Sequence, residues 1–202
     1  MEGLVNYPQV LEIGSTGRNS GKTFFAKDII MRYKDKYPIV ALKIITIRGA
    51  RGVCQRGGVG CGICTSIDEG YELIEETNAR GKKDTMELLK SGCQKAYLLK
   101  AFEDSLLKGF EAFLKEIDAE TLVICESNSL RKYILPGLFV MINNQRGMKK
   151  SAEEVLEQAD FVIDKAQVLD SDLTVAVEQT GDFLTWTKRK SERQNVAQMI
   201  RI

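Results

Sequence analysis

The ten residues Gly14-Ser15-Thr16-Gly17-Arg18-Asn19-Ser20-Gly21-Lys22-Thr23 restrict the fold more than any other part of this chain. They follow the run Val10-Leu11-Glu12-Ile13 and precede a segment, Thr23 to about Tyr33, that reads as a helix. Phe24, Phe25, Ile29, Ile30 and Tyr33 give that segment an apolar stripe at helical spacing. Strand, glycine-rich turn, Gly-Lys-Thr and helix together form the layout of a phosphate-binding loop. Small residues let successive backbone N–H groups turn inward around a polyphosphate, and the helix N-terminus adds partial positive charge. Lys22 is expected to reach the β- and γ-phosphates, and the Thr23 hydroxyl to ligate Mg2+. The expected nucleotide-binding set is Gly17, Arg18, Asn19, Ser20, Gly21, Lys22, Thr23 and Phe24. The spacing departs from the common one at Thr16, where a glycine usually stands five residues before Gly21. A positive φ at Thr16 would cost roughly 1 kcal/mol or more, so the chain is expected to lead into the loop along a different path.

The remaining pattern predicts an α/β fold: a three-layer phosphate-loop NTPase architecture with a mostly parallel central sheet. Residues 39–47 are almost continuously apolar and rich in branched side chains, as in a strand buried on both faces. Lys43 interrupts them, either as a charge emerging near a strand end or as a partner for phosphate or carboxylate. From Gly70 the chain reads as helical or irregular, with acids at Glu72, Glu75 and Glu76. Asp84 or Thr85 would cap a helix through Met86, Leu88 and Leu89, ending at Gly92. A strand at 96–99, an amphipathic helix at 102–117 and a second buried strand at 121–126 follow. That strand ends in Glu126, the type of group that orders Mg2+ and its waters in phosphate-loop proteins. Strands are also predicted at 138–142 and 161–163, with a helix at about 151–158 between them. Alternation around Thr180-Gly181-Asp182 predicts a terminal hairpin, and 188–202 reads as a basic helix. At 202 residues the expectation is one nucleotide-binding domain, 1–202.

Residues 48–66 differ in kind, with six glycines, three arginines, three cysteines and no acid. They predict a long inserted loop. Cys54, Cys61 and Cys64 lie within eleven residues, and a Cys-x-x-Cys pair fits the bite of zinc or an iron–sulfur cluster. Cys93 is the candidate fourth ligand, or a second subunit supplies one. A redox pair at Cys61 and Cys64, or three free thiols, are the alternatives. Cys125, inside an apolar strand, reads as core.

Composition excludes several classes. A net charge of +1 argues against a general nucleic-acid surface, and no run of 18 apolar residues spans a membrane. The opening Met-Glu-Gly-Leu-Val-Asn-Tyr lacks the regions of a signal peptide, so the expected place is the cytoplasm. There is no histidine, so acid–base work falls to carboxylates, lysine, cysteine or water.

Several motifs resemble the molybdopterin-guanine dinucleotide biosynthesis protein B family of phosphate-loop proteins. They are Gly17 to Thr23, Val40-Ala41-Leu42-Lys43, Gly81-Lys82-Lys83-Asp84-Thr85 with Ser91-Gly92, and the apolar run ending in Glu126. The resemblance covers roughly residues 8–130 and implies GTP binding, slow hydrolysis, a supporting part in attaching a nucleotide to molybdopterin, and a homodimer. It implies partners among cofactor-biosynthesis proteins or metalloenzymes. The chain departs from that family where the cysteine loop replaces histidines and where Ser127-Asn128-Ser129 follows the glutamate. No Asn-Lys-x-Asp occurs, so GTP and ATP both stay open. The functional expectation is a slow Mg-dependent NTPase serving metal-cofactor assembly, with Lys22, Glu126 and Asp84 as catalytic candidates. A small-molecule kinase, or a metal or redox carrier switched by nucleotide, are the rivals.

Overall fold

The structure is a computed structural model that describes residues 4–49, 66–67, 70–145, 147–166, 168 and 175–188. Nine strands and four α-helices follow one another along these residues. They are β1 (Val5–Ser15), α1 (Lys22–Tyr33), β2 (Ile39–Ile47), β3 (Tyr71–Glu75), α2 (Asp84–Lys90), β4 (Lys95–Phe102) and α3 (Leu106–Leu114). After these come β5 (Leu122–Glu126), β6 (Ile134–Asn143), α4 (Lys150–Glu153), β7 (Phe161–Asp164), β8 (Val175–Thr180) and β9 (Phe183–Lys188).

Seven strands form one sheet in the order β3-β4-β2-β5-β1-β6-β7. Every pairing in it is parallel except β3 with β4. The apolar runs of β2 and β5 are central because both sheet faces are covered. On one face Phe25, Ala26, Ile29 and Ile30 of α1 and Leu88 of α2 pack on Leu11, Ile13, Ala41 and Ile124. On the other, Leu106, Phe110 and Phe113 of α3 pack on Val10, Val40, Leu42 and Val123. Helices on both faces of a mostly parallel sheet make the three-layer fold expected of a phosphate-loop NTPase. The strand carboxyl ends then share one edge, where sites of such sheets lie.

The terminal hairpin is present as β8 paired antiparallel with β9. It docks near the amino ends of the central strands. Trp186 is fully buried there, and its indole N–H donates to the Val123 carbonyl at 3.2 Å. The Trp186 ring meets Tyr33 of α1 edge-on at 5.5 Å, and the Tyr33 hydroxyl donates to the Val175 carbonyl. Gly137 lies in the same joint. A Cβ there would stand 2.0 Å from the Pro8 carbonyl oxygen and 3.0 Å from that of Trp186.

Two expectations need correction. Residues 71–75, expected to be helical or irregular, form an edge strand. Tyr71 and Leu73 point to the α3 core while Glu72, on the opposite face, pairs with Lys100 of β4 at 2.8 Å, which is the alternation of a strand. The helix expected at 151–158 is split into α4 and a 3-10 turn at Leu156–Gln158. Val155, at φ −133°, leaves helical geometry as it buries with Ala152 against Phe139 and Met141. Of the two readings open for Lys43, the strand end does not hold, since β2 continues four residues beyond it to Ile47, while a carboxylate partner does, in Glu126 and Asp84. The basic helix expected at 188–202 begins inside β9 at Lys188 and otherwise lies outside the described residues.

Candidate functional site

The loop leaves the end of β1 and returns as α1. Its geometry resolves the displaced glycine. Among the described residues, non-glycine positive φ occurs only at Asn19 (53°) and Gln145 (55°), so Thr16 carries no such strain. The turn is made by Asn19 and by Gly21, at φ 95°, which stands as the N-cap of α1. Thr16 is 2% exposed and serves as an anchor. Its N–H donates to the Ile142 carbonyl at 3.0 Å, and its hydroxyl receives the Asn144 N–H at 3.0 Å. Gly17 is required for space. A Cβ there would stand 2.0 Å from the Asn144 amide nitrogen, which donates to the Arg18 carbonyl at 3.1 Å.

The ammonium of Lys22 donates to the Ser15 hydroxyl at 2.8 Å, and that hydroxyl donates to the Gly17 carbonyl at 2.9 Å. Ser15 itself is clamped by Asn128, whose side chain accepts from its N–H at 2.8 Å and donates to its carbonyl at 2.9 Å. The segment after β5 therefore fixes the start of the loop. Ser127 is also committed locally, accepting from the N–H groups of Ser129 and Leu130 at 3.0 Å each. Ser20 is 1% exposed, and its hydroxyl is buried without a partner. Thr23 follows Lys22 in the first turn of α1. Phe24 is 50% exposed and lines neither cleft described below.

Glu126 is the last residue of β5, 2% exposed, in register with Ile13 of β1 and with Lys43 of β2. Its Oε2 accepts from the Lys43 ammonium at 3.0 Å, while Oε1 is buried with no partner. Lys43 also donates to Asp84, the first residue of α2. Asp84 is therefore not the cap of α2, where Lys83 stands, but a counter-charge for Lys43. Burial pulls the Lys43 pKa down, yet Glu126 and Asp84 outweigh it and leave the group above its ordinary value. The structure thus gathers Lys22, Glu126 and Asp84 at one strand edge and adds Lys43 to them.

Two clefts open on either side of Arg18. One, of about 620 Å3, runs from Arg18 and Lys22 past Lys43, Glu126 and Ser129 to Arg48, Lys150 and Glu154. Its far rim is an ion network. Arg48 pairs with Glu154 at 3.1 Å and Glu103 at 3.5 Å, and Lys132 pairs with Glu103 at 2.8 Å. The other cleft, of about 530 Å3, is lined by Arg18, Asn19, Asn144, Gln145, Lys165 and Ala166.

The donor set suits a hard cation. A buried carboxylate oxygen without a partner at Glu126 is the hard donor that Mg2+ takes, whereas Thr23, like Phe24, lines neither cleft. The thiol site is another matter. Cys54, Cys61 and Cys64 lie outside the described residues. Among the described residues no cluster of three or more His, Cys, Asp or Glu could hold a metal. Cys93 lies at the amino ends of the strands, next to Gln94, whose N–H donates to the Ile39 carbonyl at 2.8 Å. The loop at residue 48 begins at the opposite end of β2. The Cys93 thiol donates to the Leu88 carbonyl, and burial pushes its pKa up to about 11, which suits a core thiol better than a ligand. Cys125 is fully buried, as expected of core.

Ser15, Asn128 and Asn144 were not singled out by sequence reasoning as loop supports. The one available signal was their position, polar residues directly after apolar strand runs.

No protein-family model matches the chain. No curated protein matches it either. Among solved structures it is similar to the "apo" form of LpxK from Aquifex aeolicus in complex with ATP, at 17% identity and a TM-score of 0.44. The match covers 88% of this chain and 52% of that one, so the chain spans about half the length of the protein it matches. Among the described residues no helix is long and apolar enough to cross a membrane.

Proposed function

We propose that this chain binds a Mg-nucleoside triphosphate in the loop 17–23 and hydrolyses it slowly. The observation that carries the reading is Glu126 Oε1, buried and without a partner at the strand edge that also presents Lys22. A carboxylate oxygen in that state costs stability unless something binds it. Lys22, turned inward by Ser15 before the ligand arrives, neutralises charge on the β- and γ-phosphates. The N–H groups of the loop cradle the chain of phosphates. Thr23 and Glu126 would hold Mg2+, which when bound would neutralise charge on the phosphate oxygens. Electrostatics and positioning carry the catalysis, so the lack of histidine is no obstacle.

The 530 Å3 cleft is the place for base and sugar. Asn144 is occupied with Thr16 and Arg18, and the Asn143 amide donates to Asp164 of β7 at 3.0 Å, so both amides are already engaged. Weak preference between ATP and GTP follows. Titration of wild type and Lys22→Ala with Mg-ATP and Mg-GTP by calorimetry tests the reading. We expect saturable binding to the wild type and a loss of at least about 100-fold in the variant, and unchanged affinity would overturn it.

The molybdopterin-related role, the homodimer and a metal at Cys54, Cys61 and Cys64 belong to this proposal as its finer part, and they rest on the sequence motifs. An absorption spectrum and elemental analysis of anaerobically purified protein test the thiol site. A second reading, phosphoryl transfer to a small acceptor, is favoured by the extent of the larger cleft beyond Lys22 to Arg48 and Lys150. Phosphate release in the absence of any acceptor would count against it.

A further inference from the structure

Lys43 belongs to no part of a phosphate-binding loop, yet its surroundings are those of a functional group. Parallel pairing of β2 with β5 puts it in register with Glu126, so the two side chains are neighbours by construction of the sheet. Its side chain is 20% exposed and lines the larger cleft together with Lys22. The trio of Lys43, Glu126 and Asp84 carries one negative charge in excess, which is unfavourable beside a polyphosphate. Once Glu126 serves a cation, Lys43 loses the claim of one of its two counter-charges. The other, Asp84, is 48% exposed and loses little by returning to water.

We propose that Lys43 is a second phosphoryl-stabilising cation, which turns from Glu126 and Asp84 to the γ-phosphate when nucleotide binds, across the cleft from Lys22. The inference rests on the nucleotide-binding reading above. Hydrolysis forms a bond between a water oxygen and the γ-phosphorus and breaks the bond from that phosphorus to the βγ-bridging oxygen. The diphosphate leaves with the electron pair, and one proton passes to solvent. Negative charge on the equatorial oxygens persists throughout, and a cation held there lowers the barrier. Lys43 suits this task better than Arg48, whose guanidinium is held by both oxygens of Glu154. It also projects from the middle of a strand with neighbours on both sides, and a rigid element places a group more accurately than a loop.

The test compares wild type with Lys43→Gln, which can still donate to Glu126 but carries no charge, and with Lys43→Arg. Affinities for ADP and for a non-hydrolysable ATP analogue are measured with and without Mg2+, alongside the hydrolysis rate. In Lys43→Gln we expect kcat to fall about 100-fold or more, as for loss of one preorganised charge-stabilising donor. ADP affinity should stay within about threefold, and the preference for triphosphate over diphosphate should shrink about tenfold. Lys43→Arg should keep most of that preference. Wild-type kcat and preference in Lys43→Gln would overturn the proposal. Equal loss of ADP and triphosphate affinity would also overturn it, since that marks a structural role. If Lys43→Gln does not fold by circular dichroism, Lys43→Arg decides, and loss of preference there overturns the proposal. Wild type that binds neither nucleotide sinks the nucleotide reading itself, a result distinct from all of these.

Discussion

Glu12 is a carboxyl placed where water does not reach. It is fully buried in β1, with Oε1 accepting from the Arg131 N–H at 3.1 Å and Oε2 without a partner. Burial pushes its pKa up to about 8, against the pull of the Arg131 N–H and charge. The unfolded value is near 4.5. Between those two values the folded chain holds a proton that the unfolded chain has lost, so stability falls as pH rises through this window. Above about 8 both states are ionised and the slope ends. Glu12→Gln should therefore flatten the pH dependence between 5 and 8, with stability near that of wild type at pH 5. At pH 8 it should be the more stable by an amount on the order of a few kcal/mol. Urea denaturation at the two pH values is the check, and parallel curves would refute it. Neither this proton nor the pairing of Lys43 with Asp84 was legible in sequence. The second joins groups 41 residues apart, and no periodicity reports such a distance.

Among the elements, the end of β6 has a role that its sequence conceals. Leu138 to Ile142 reads only as buried strand, but the residues after it hold the loop between β1 and α1. Thr16, Gly17 and Arg18 all depend on Asn144, through its N–H, its amide and the space beside it. Asn144→Ala removes the side-chain hydrogen bonds to Thr16 and Arg18 and opens a gap against Gly17, at a cost of about 1–2 kcal/mol. Because the loop is what loosens, the loss should fall on nucleotide affinity, about tenfold, with the thermal midpoint changing little. An unchanged dissociation constant would show that the loop holds its shape alone. The strand–turn–helix layout around the loop was legible, since β1 and α1 fall where the apolar run and the helical stripe put them. Its support was not, because it comes from β5 and β6, more than 100 residues away. Edge strand β3 was misread for a related reason. Glu72, Glu75 and Glu76 stand at helical spacing, and only pairing with β4 reveals the strand.

For the molecule as a whole, alternation of strands and helices made the layers legible, while the order of strands was not. That order depends on which crossovers pack, and the hairpin's seat depends on one joint. At Gly137 the chains of β1, β6 and β9 approach so closely that a methyl group would overlap the Pro8 carbonyl. Gly137→Ala is expected to destabilise the protein by at least about 3 kcal/mol, because backbone must move and not a side chain end. Gly181, in the open turn of the hairpin at φ 61°, where an added Cβ would meet nothing within 4 Å, provides the comparison. Its change to alanine should cost about 1 kcal/mol, through φ alone. Denaturant midpoints of the two variants measure the difference, and equal values would refute the joint.

Trp186 gives this molecule an optical handle. It is the single tryptophan in the chain, and it lies sealed between the hairpin, α1 and β5 at the edge remote from Lys22. Its emission therefore comes from one place, and a red shift reports the hairpin lifting and water entering. A nucleotide bound at the opposite edge would make no direct contact with the indole. A change in emission on adding nucleotide would then be a signal carried through the length of the sheet, readable without any label.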